Sequence, residues 1–280
     1  MSRLLTKLRA SLHGLSPVLQ RVARYVLDNP DAVIYHSVTE LAEATRSSEG
    51  SIIRFCQDLG FSGFQELKLT LAVELDPPGR KSAPPPTPGD HDFGGLMARL
   101  VEQAAAAAHE TANLYEGEVT AEVAERLRAA ERVDIYGVGA SGVVAQYFAY
   151  KLLRLGLTAQ AFTDLHLGSM SASNLSDRSV AIGVSSSGST LDTLQALKAA
   201  KEAGAFTVAI TNRLKSPLAK VADRSLFASP PESPLTGGDV FAKIGQLLLL
   251  EALARLMIEG NAELSESVRR TAHVVADRSM

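Results

Sequence analysis

Ser179-Val180-Ala181-Ile182-Gly183-Val184-Ser185-Ser186-Ser187-Gly188-Ser189-Thr190-Leu191 changes character twice in one short span. An apolar run of strand type gives way to small hydroxyl residues and a glycine, and these lead into the helix-like stretch Leu191 to Ala203. A strand that ends this way aims free backbone N–H groups, a helix dipole and several hydroxyls at one point, which attracts an anion. The plainer alternative is a serine-rich turn with a helix N-cap, and this segment alone leaves both open.

Val133 to Val138, Thr158 to Phe162, Phe206 to Thr211 and Ser225 to Ala228 also have strand character, and amphipathic stretches of helical length separate most of them. Strand alternating with helix predicts an α/β domain with a mainly parallel sheet flanked by helices. Such sheets bind ligands beyond the carboxyl ends of their strands, where strand order reverses. Ahead of the first strand, Leu96 to Tyr115, with its alanine run 104–108, and Ala121 to Ala130 read as helices.

Asp76-Pro77-Pro78 through Pro84-Pro85-Pro86-Thr87-Pro88 interrupts any packed element, because successive prolines lack donors and favour extended polyproline II. Three segments are therefore expected: a helical domain over 1–76, a linker over 77–95 and the α/β domain over 96–280.

In the all-α domain, helix starts are signalled at Ser16-Pro17, Pro30-Asp31, Ser37 and Ser48. Val38 to Ala44, a tight turn at Thr45-Arg46-Ser47 and a helix from Ser48 to Gly60 describe a helix-turn-helix. Leu41, Ala42, Ile52, Phe55, Cys56 and Leu59 face inward, and Ser48, Glu49, Gly50, Ser51 and Arg54 open the second helix, where base edges in a major groove are read. An ordinary pair of packed helices is the alternative. Arg3, Lys7, Arg9, Arg21 and Arg24 precede the first acidic residue, Asp28, and Arg46, Arg54 and Lys68 surround the reading helix, as phosphate contacts require. Glu40, Glu43, Glu49 and Asp58 dilute that field.

The 280 residues carry a formal charge of −3, with 46% hydrophobic and 21% charged residues, as in an ordinary globular protein. Any DNA binding must then come from a local basic patch. Cys56 is the single cysteine, which excludes an intrachain disulfide and a cysteine-based zinc site and fits a reducing compartment. It reads as a small buried hydrophobe. Neither a leader-type apolar region nor a membrane-length apolar run is evident, so a cytoplasmic location is expected.

The stretch Ser48 to Lys68, with Gly60-Phe61 and Phe64-Gln65-Glu66-Leu67-Lys68, resembles the RpiR family of bacterial transcriptional regulators, as do Ser16-Pro17, Gln20-Arg21-Val22-Ala23, Tyr25 and Asn29-Pro30 upstream. Gly50 departs from that pattern, where a better helix former is usual. The resemblance implies a sugar isomerase (SIS) domain from about Arg132 to Met257, and two loops match one. Gly137-Val138-Gly139-Ala140-Ser141 resembles the SIS Gly-x-Gly-x-Ser turn, and Ser185 to Thr190 resembles its phosphate loop. A dinucleotide-binding fingerprint is the weaker reading of the same glycine turn.

Carried over residue by residue, the resemblance implies that Ser141, Ser185, Ser187 and Thr190 donate hydroxyls to a phosphorylated sugar or sugar acid, with backbone contacts from Ser186 and Gly188. Asp192 reads as dipole compensation. No cofactor or metal is implied. Isomerisation needs a base and a ring-opening group; Glu232, Asp239, Glu251 and His166 are available, but no clear pair emerges. A non-enzymatic regulator, binding double-stranded operator DNA as a homodimer or homotetramer, is therefore expected, with Leu96–Tyr115 and Val240–Ile258 as candidates either for its interface or for core helices of one subunit. A sugar-phosphate isomerase with an accessory helical domain and a protein-binding module are the alternatives.

Overall fold

A computed structural model describes residues 3–75, 93–231, 234, 235, 238 and 240–276. The expected linker up to residue 92, and the acids Glu232 and Asp239, lie outside the described residues. Two compact units are present: among the described residues, 3–103 with 234 and 235 form the first, and 104–231 with 238 and 240–276 form the second.

The first unit contains α1 (Arg3–Ser11), α2 (Pro17–Asp28), α3 (Pro30–Val33), α4 (Val38–Ala44), α5 (Glu49–Asp58) and α6 (Phe64–Leu75). Prolines open α2 and α3 at positions where the missing N–H has no helical partner anyway. Ser37 and Glu40 form a reciprocal capping box on α4, and the Ser48 hydroxyl accepts from the Ser51 N–H at 3.1 Å to start α5. The buried faces of these helices, including Leu8, Val22, Val26, Leu41, Ile52 and Phe55, form one core. Burial pushes the Cys56 thiol up to about 12, so it stays protonated and packs as an apolar group.

Helix α7 (Phe93–Asn113) begins inside the span expected to be linker, a correction to that boundary, and continues from the first unit into the second. The polyalanine run at its centre favours helix more strongly than the preceding sequence opposes it. The second unit continues with α8 (Gly117–Ala129), β1 (Arg132–Tyr136), α9 (Ala140–Arg154), β2 (Ala159–Phe162), α10 (Leu165–Ala172), β3 (Ser179–Val184) and α11 (Leu191–Glu202). Then follow β4 (Phe206–Thr211), α12 (Pro217–Val221), β5 (Arg224–Phe227), α13 (Val240–Ile258) and α14 (Ala262–Ala276).

All four strand pairings are parallel, in the order β2-β1-β3-β4-β5. The strands alternate as a doubly covered sheet requires. Val133, Ile135, Val180, Ile182, Val208 and Ile210 face the layer that contains α8, α9 and α13, whereas the smaller Ala181 and Ala209 face that of α10 to α12. Gly183 keeps the second layer close: a Cβ there would lie 3.1 Å from Leu218 and 3.3 Å from Leu197. Helix α13, considered above as an interface element, is a core helix, with Leu250, Leu253, Ala254 and Met257 buried against the sheet. Its apolar residues exceed one face because the sheet, α8, α9 and α14 all surround it.

Candidate functional site

With β1 and β3 adjacent and strand order reversing between them, the loops that leave their carboxyl ends start side by side: Tyr136 pairs with Gly183 in register. This is the switch point at which open α/β sheets bind ligands. The first loop turns at Gly139, whose φ of +56° lies in the left-handed region, and enters α9. Gly137 permits a backbone crossing, since a Cβ would lie 2.7 Å from the Ser141 carbonyl oxygen. The buried Ser141 hydroxyl bonds to no described residue, which leaves it available to a ligand.

The second loop is shaped from within. The Ser185 Oγ accepts from the Gly188 N–H at 3.1 Å and lies 3.0 Å from the Thr190 hydroxyl and 3.4 Å from that of Ser187. Gly188 has a φ of +60°, and a Cβ on it would lie 2.2 Å from the Ser216 Oγ, so no other residue fits without rearrangement. Ser187 and Thr190 are half-buried, and α11 starts directly beyond Thr190. Hydroxyls and the positive ends of α9 and α11 therefore converge on the crevice, an arrangement that stabilises an anion.

Beneath the loop lies a feature that serine spacing alone does not reveal. The Ser186 Oγ accepts from the Lys243 Nζ and, at 3.1 Å, from the Gln246 Nε2, both on α13 and both buried. The Ser186 carbonyl accepts from the Asn212 N–H at 3.2 Å and the Thr211 hydroxyl at 3.4 Å. Ser186 is thus tied into the protein through both its side chain and its carbonyl. Lys243 brings a cation to an otherwise uncharged loop; one lysine and one glutamine a turn apart in an apolar helix were the readable signal.

In the first unit, Arg46 and Arg54 are exposed and their guanidinium groups bond to no described residue; Ser48 and Gly50 are exposed beside them and Ser51 is half-buried. Arg46 sits in the turn between α4 and α5 with φ +50°, a left-handed conformation uncommon for any residue but glycine. Arg21 clamps that turn, donating from Nε to the Thr45 carbonyl at 3.3 Å and from Nη2 to the Arg46 carbonyl at 3.1 Å. The Glu49 carboxylate accepts from the Thr39 hydroxyl at 2.6 Å and so joins α5 to α4.

Lys68 corrects an expectation. Rather than facing DNA, it is 3% exposed, donates to the His36 carbonyl at 2.9 Å and lies over the Phe64 ring. Its long stem covers core side chains while its ammonium closes a loop carbonyl. Lys7 is also engaged, donating to the Leu59 carbonyl at the end of α5 at 2.9 Å.

Residues 2–78 match the model of the rpiR-family helix-turn-helix domain, and residues 126–256 match that of the SIS domain. An uncharacterized HTH-type transcriptional regulator of Caldanaerobacter subterraneus is 38% identical over 92% of this chain and 92% of its own length. The HTH-type transcriptional regulator RpiR of Escherichia coli is 32% identical over 90% of this chain and 86% of its own. The chain belongs to the rpiR family of transcriptional regulators. A solved structure of the Vibrio vulnificus NanR protein complexed with ManNAc-6P superposes with a TM-score of 0.90 at 34% identity, over 99% of this regulator and all of NanR.

The regulator's remaining acid–base candidates are not assembled into a catalytic pair among the described residues. Glu251 on α13 is bonded by Lys151 at 2.8 Å, Arg255 at 3.0 Å and the Tyr147 hydroxyl at 2.9 Å, and the two cations hold its carboxyl down at about 2. So acidic a group is a poor proton acceptor at neutral pH. His166 is exposed on α10, where its backbone N–H, not its ring, donates to the N-cap carboxylate of Asp164 at 2.9 Å. No described helix is long and apolar enough to cross a membrane, and no cluster of three metal-ligating side chains occurs among the described residues.

Proposed function

We propose that the second unit binds a phosphorylated sugar or sugar acid at the crevice between β1 and β3, and that its occupancy changes how the helix-turn-helix units hold operator DNA. One observation carries this reading: two glycine-shaped loops present Ser141, Ser185, Ser187 and Thr190 beside two helix N-termini, with Lys243 beneath. Phosphate is the common anion with enough acceptor oxygens to engage that many donors. The NanR complex with ManNAc-6P supports the same class of ligand. Ser186 and Gly188 complete the loop, and the role is sensing rather than turnover.

On the DNA side, Arg46, Ser48, Gly50, Ser51 and Arg54 form the contacting face, with Glu49 bracing it. Helix-turn-helix units commonly read two half-sites, so the regulator is assigned as a homo-oligomer, a dimer or a tetramer. Phe93, Leu96, Met97 and Val101 form an exposed apolar stripe on α7 suited to that association. The functional segments are helical reader, proline-rich connector and SIS domain, the connector ending before Phe93.

The test is a thermal-shift screen of the full chain against N-acetylmannosamine 6-phosphate, other hexose and pentose phosphates, 6-phosphogluconate and the matching unphosphorylated sugars. A ligand at 100 times its Kd stabilises by about 2.7 kcal/mol. At least one phosphorylated compound is expected to raise the midpoint, its unphosphorylated partner to be inert, and Ser187→Ala to abolish the shift. Equal effects of both forms, or no effect from any phosphorylated compound, would refute the assignment.

A further inference from the structure

The buried polar groups behind the phosphate loop do not stop at Lys243. The Gln246 Nε2 donates to the Asn212 Oδ1 at 2.7 Å as well as to Ser186, and the Asn212 Nδ2 donates onward to the Pro230 carbonyl at 2.9 Å. The adjoining Ser229 donates to α7 twice. Its N–H donates to the Thr111 Oγ1 at 3.0 Å and its hydroxyl to the Glu110 carboxylate at 2.6 Å. Ser186, Asn212, Gln246, Ser229 and Thr111 are all buried, so water does not substitute for a broken link.

Two details make this chain responsive rather than merely cohesive. Packing around it has no slack: a Cβ on Gly245 would lie 2.4 Å from the Ser229 carbonyl oxygen and 2.5 Å from the Thr111 Oγ1. The bonds are also directional. The Asn212 Nδ2 donates to the Pro230 carbonyl and, at 3.4 Å, to that of Ala242, which turns its Oδ1 to Gln246; that turns the Gln246 Nε2 inward and leaves its Oε1 buried without a partner. A buried unpaired acceptor is destabilising, so the amide orientation is held by its neighbours against a local penalty. An anion on the loop competes for the Lys243 ammonium and the Ser186 hydroxyl, the first members of the chain. Any change there alters the demand on the Gln246 amide and on each link behind it.

We propose that the buried chain Ser186–Gln246–Asn212–Pro230–Ser229–Thr111 couples anion occupancy of the Ser185–Thr190 loop to the stability of helix α7. Asn212, Gln246 and Thr111 are positioning residues in this scheme. Helix α7 is the informative terminus because it is continuous from Phe93, in the first unit, to Asn113, in the second. The coupling rests on the anion-binding reading of the loop.

The test is amide hydrogen exchange on the full chain, with inorganic phosphate and N-acetylmannosamine 6-phosphate as probes. In the wild type, exchange is expected to slow at least fivefold both in the loop, 185–190, and in the second-unit part of α7, 104–113, fivefold being the low end of typical coupling. In Asn212→Ala the loop still slows but the ligand-induced change in α7 falls below twofold. Thr111→Val, close in shape, gives the same separation should Asn212→Ala fail to fold. A purely structural role would change the basal exchange of α7 and leave its response to ligand intact. That result, or an α7 that ignores ligand while the wild-type loop responds, overturns the coupling. If neither loop nor helix responds to either probe, the anion site itself is wrong and the coupling falls with it.

Discussion

Replacing Arg46 with glycine is expected to stabilise the first unit while loosening its hold on DNA. At φ +50° the Arg46 backbone is left-handed, which costs a non-glycine residue about 1–2 kcal/mol. Glycine removes that cost, but its greater freedom in the unfolded chain offsets about 0.4–1 kcal/mol. A net gain of about 0–1.6 kcal/mol, centred near 0.8, remains. The bonds from Arg21 go to the carbonyls of residues 45 and 46, which Arg46→Gly retains, so the turn itself is preserved.

Hydrogen exchange of core amides such as Val22 and Phe55 in the full chain should then slow about two- to fivefold. In parallel, removal of one phosphate-contacting cation should reduce the slope of log affinity against log salt by about 0.9, measured on a duplex enriched by binding to the wild-type protein. Faster core exchange in Arg46→Gly would refute the strain argument. An unchanged salt slope would refute the placement of Arg46 on DNA, independently of the first result.

Gly188→Ala should destabilise the second unit by about 3 kcal/mol or more, since left-handed strain adds to a clash with Ser216, and should abolish the phosphosugar thermal shift; retention of both would contradict the loop geometry. Lys68→Met is expected to weaken the first unit by about 1–2 kcal/mol, by orphaning the His36 carbonyl, while leaving the salt slope of DNA binding unchanged. A reduced slope would return Lys68 to the DNA surface. Glu251 has a lowered folded-state pKa, so its stabilising contribution is full above its unfolded value near 4.5 and is lost as pH falls towards about 2. Glu251→Gln should therefore cost about 1–2 kcal/mol at pH 7, allowing for solvent screening, with the gap to wild type closing between pH 4.5 and 2 in urea titrations. A constant gap would assign the effect to packing.

Local signals made most of the elements legible. Strand runs and helix periods depend on a few neighbouring residues, and so do caps: Ser37, Ser48 and the prolines at 17 and 30 all open helices as their sequence contexts indicate. Strands β3 and β4 match the sequence-derived bounds, Ser179–Val184 and Phe206–Thr211. The start of α7 was obscured because Phe93-Gly94-Gly95 follows a proline-rich span and contains two poor helix formers. Helix α14 is decided by its surroundings: its residues pack on α9 and α13, partners remote in sequence.

By itself the sequence determined the alternation of elements, the helical character of the first domain and the two loop motifs, since each is encoded by chemistry within a few positions. Only the tertiary structure decided what those parts meet. Strand order placed the β1 and β3 loops at one crevice, through hydrogen bonds between segments far apart in the chain. Burial sorted chemically similar cations into different roles: Lys68 into the core, Lys243 beneath the serine loop, Arg21 onto a turn and Arg54 into solvent. A lysine or arginine carries the same charge and reach wherever it occurs, so its role depends on the carbonyl, hydroxyl or water that folding brings to it.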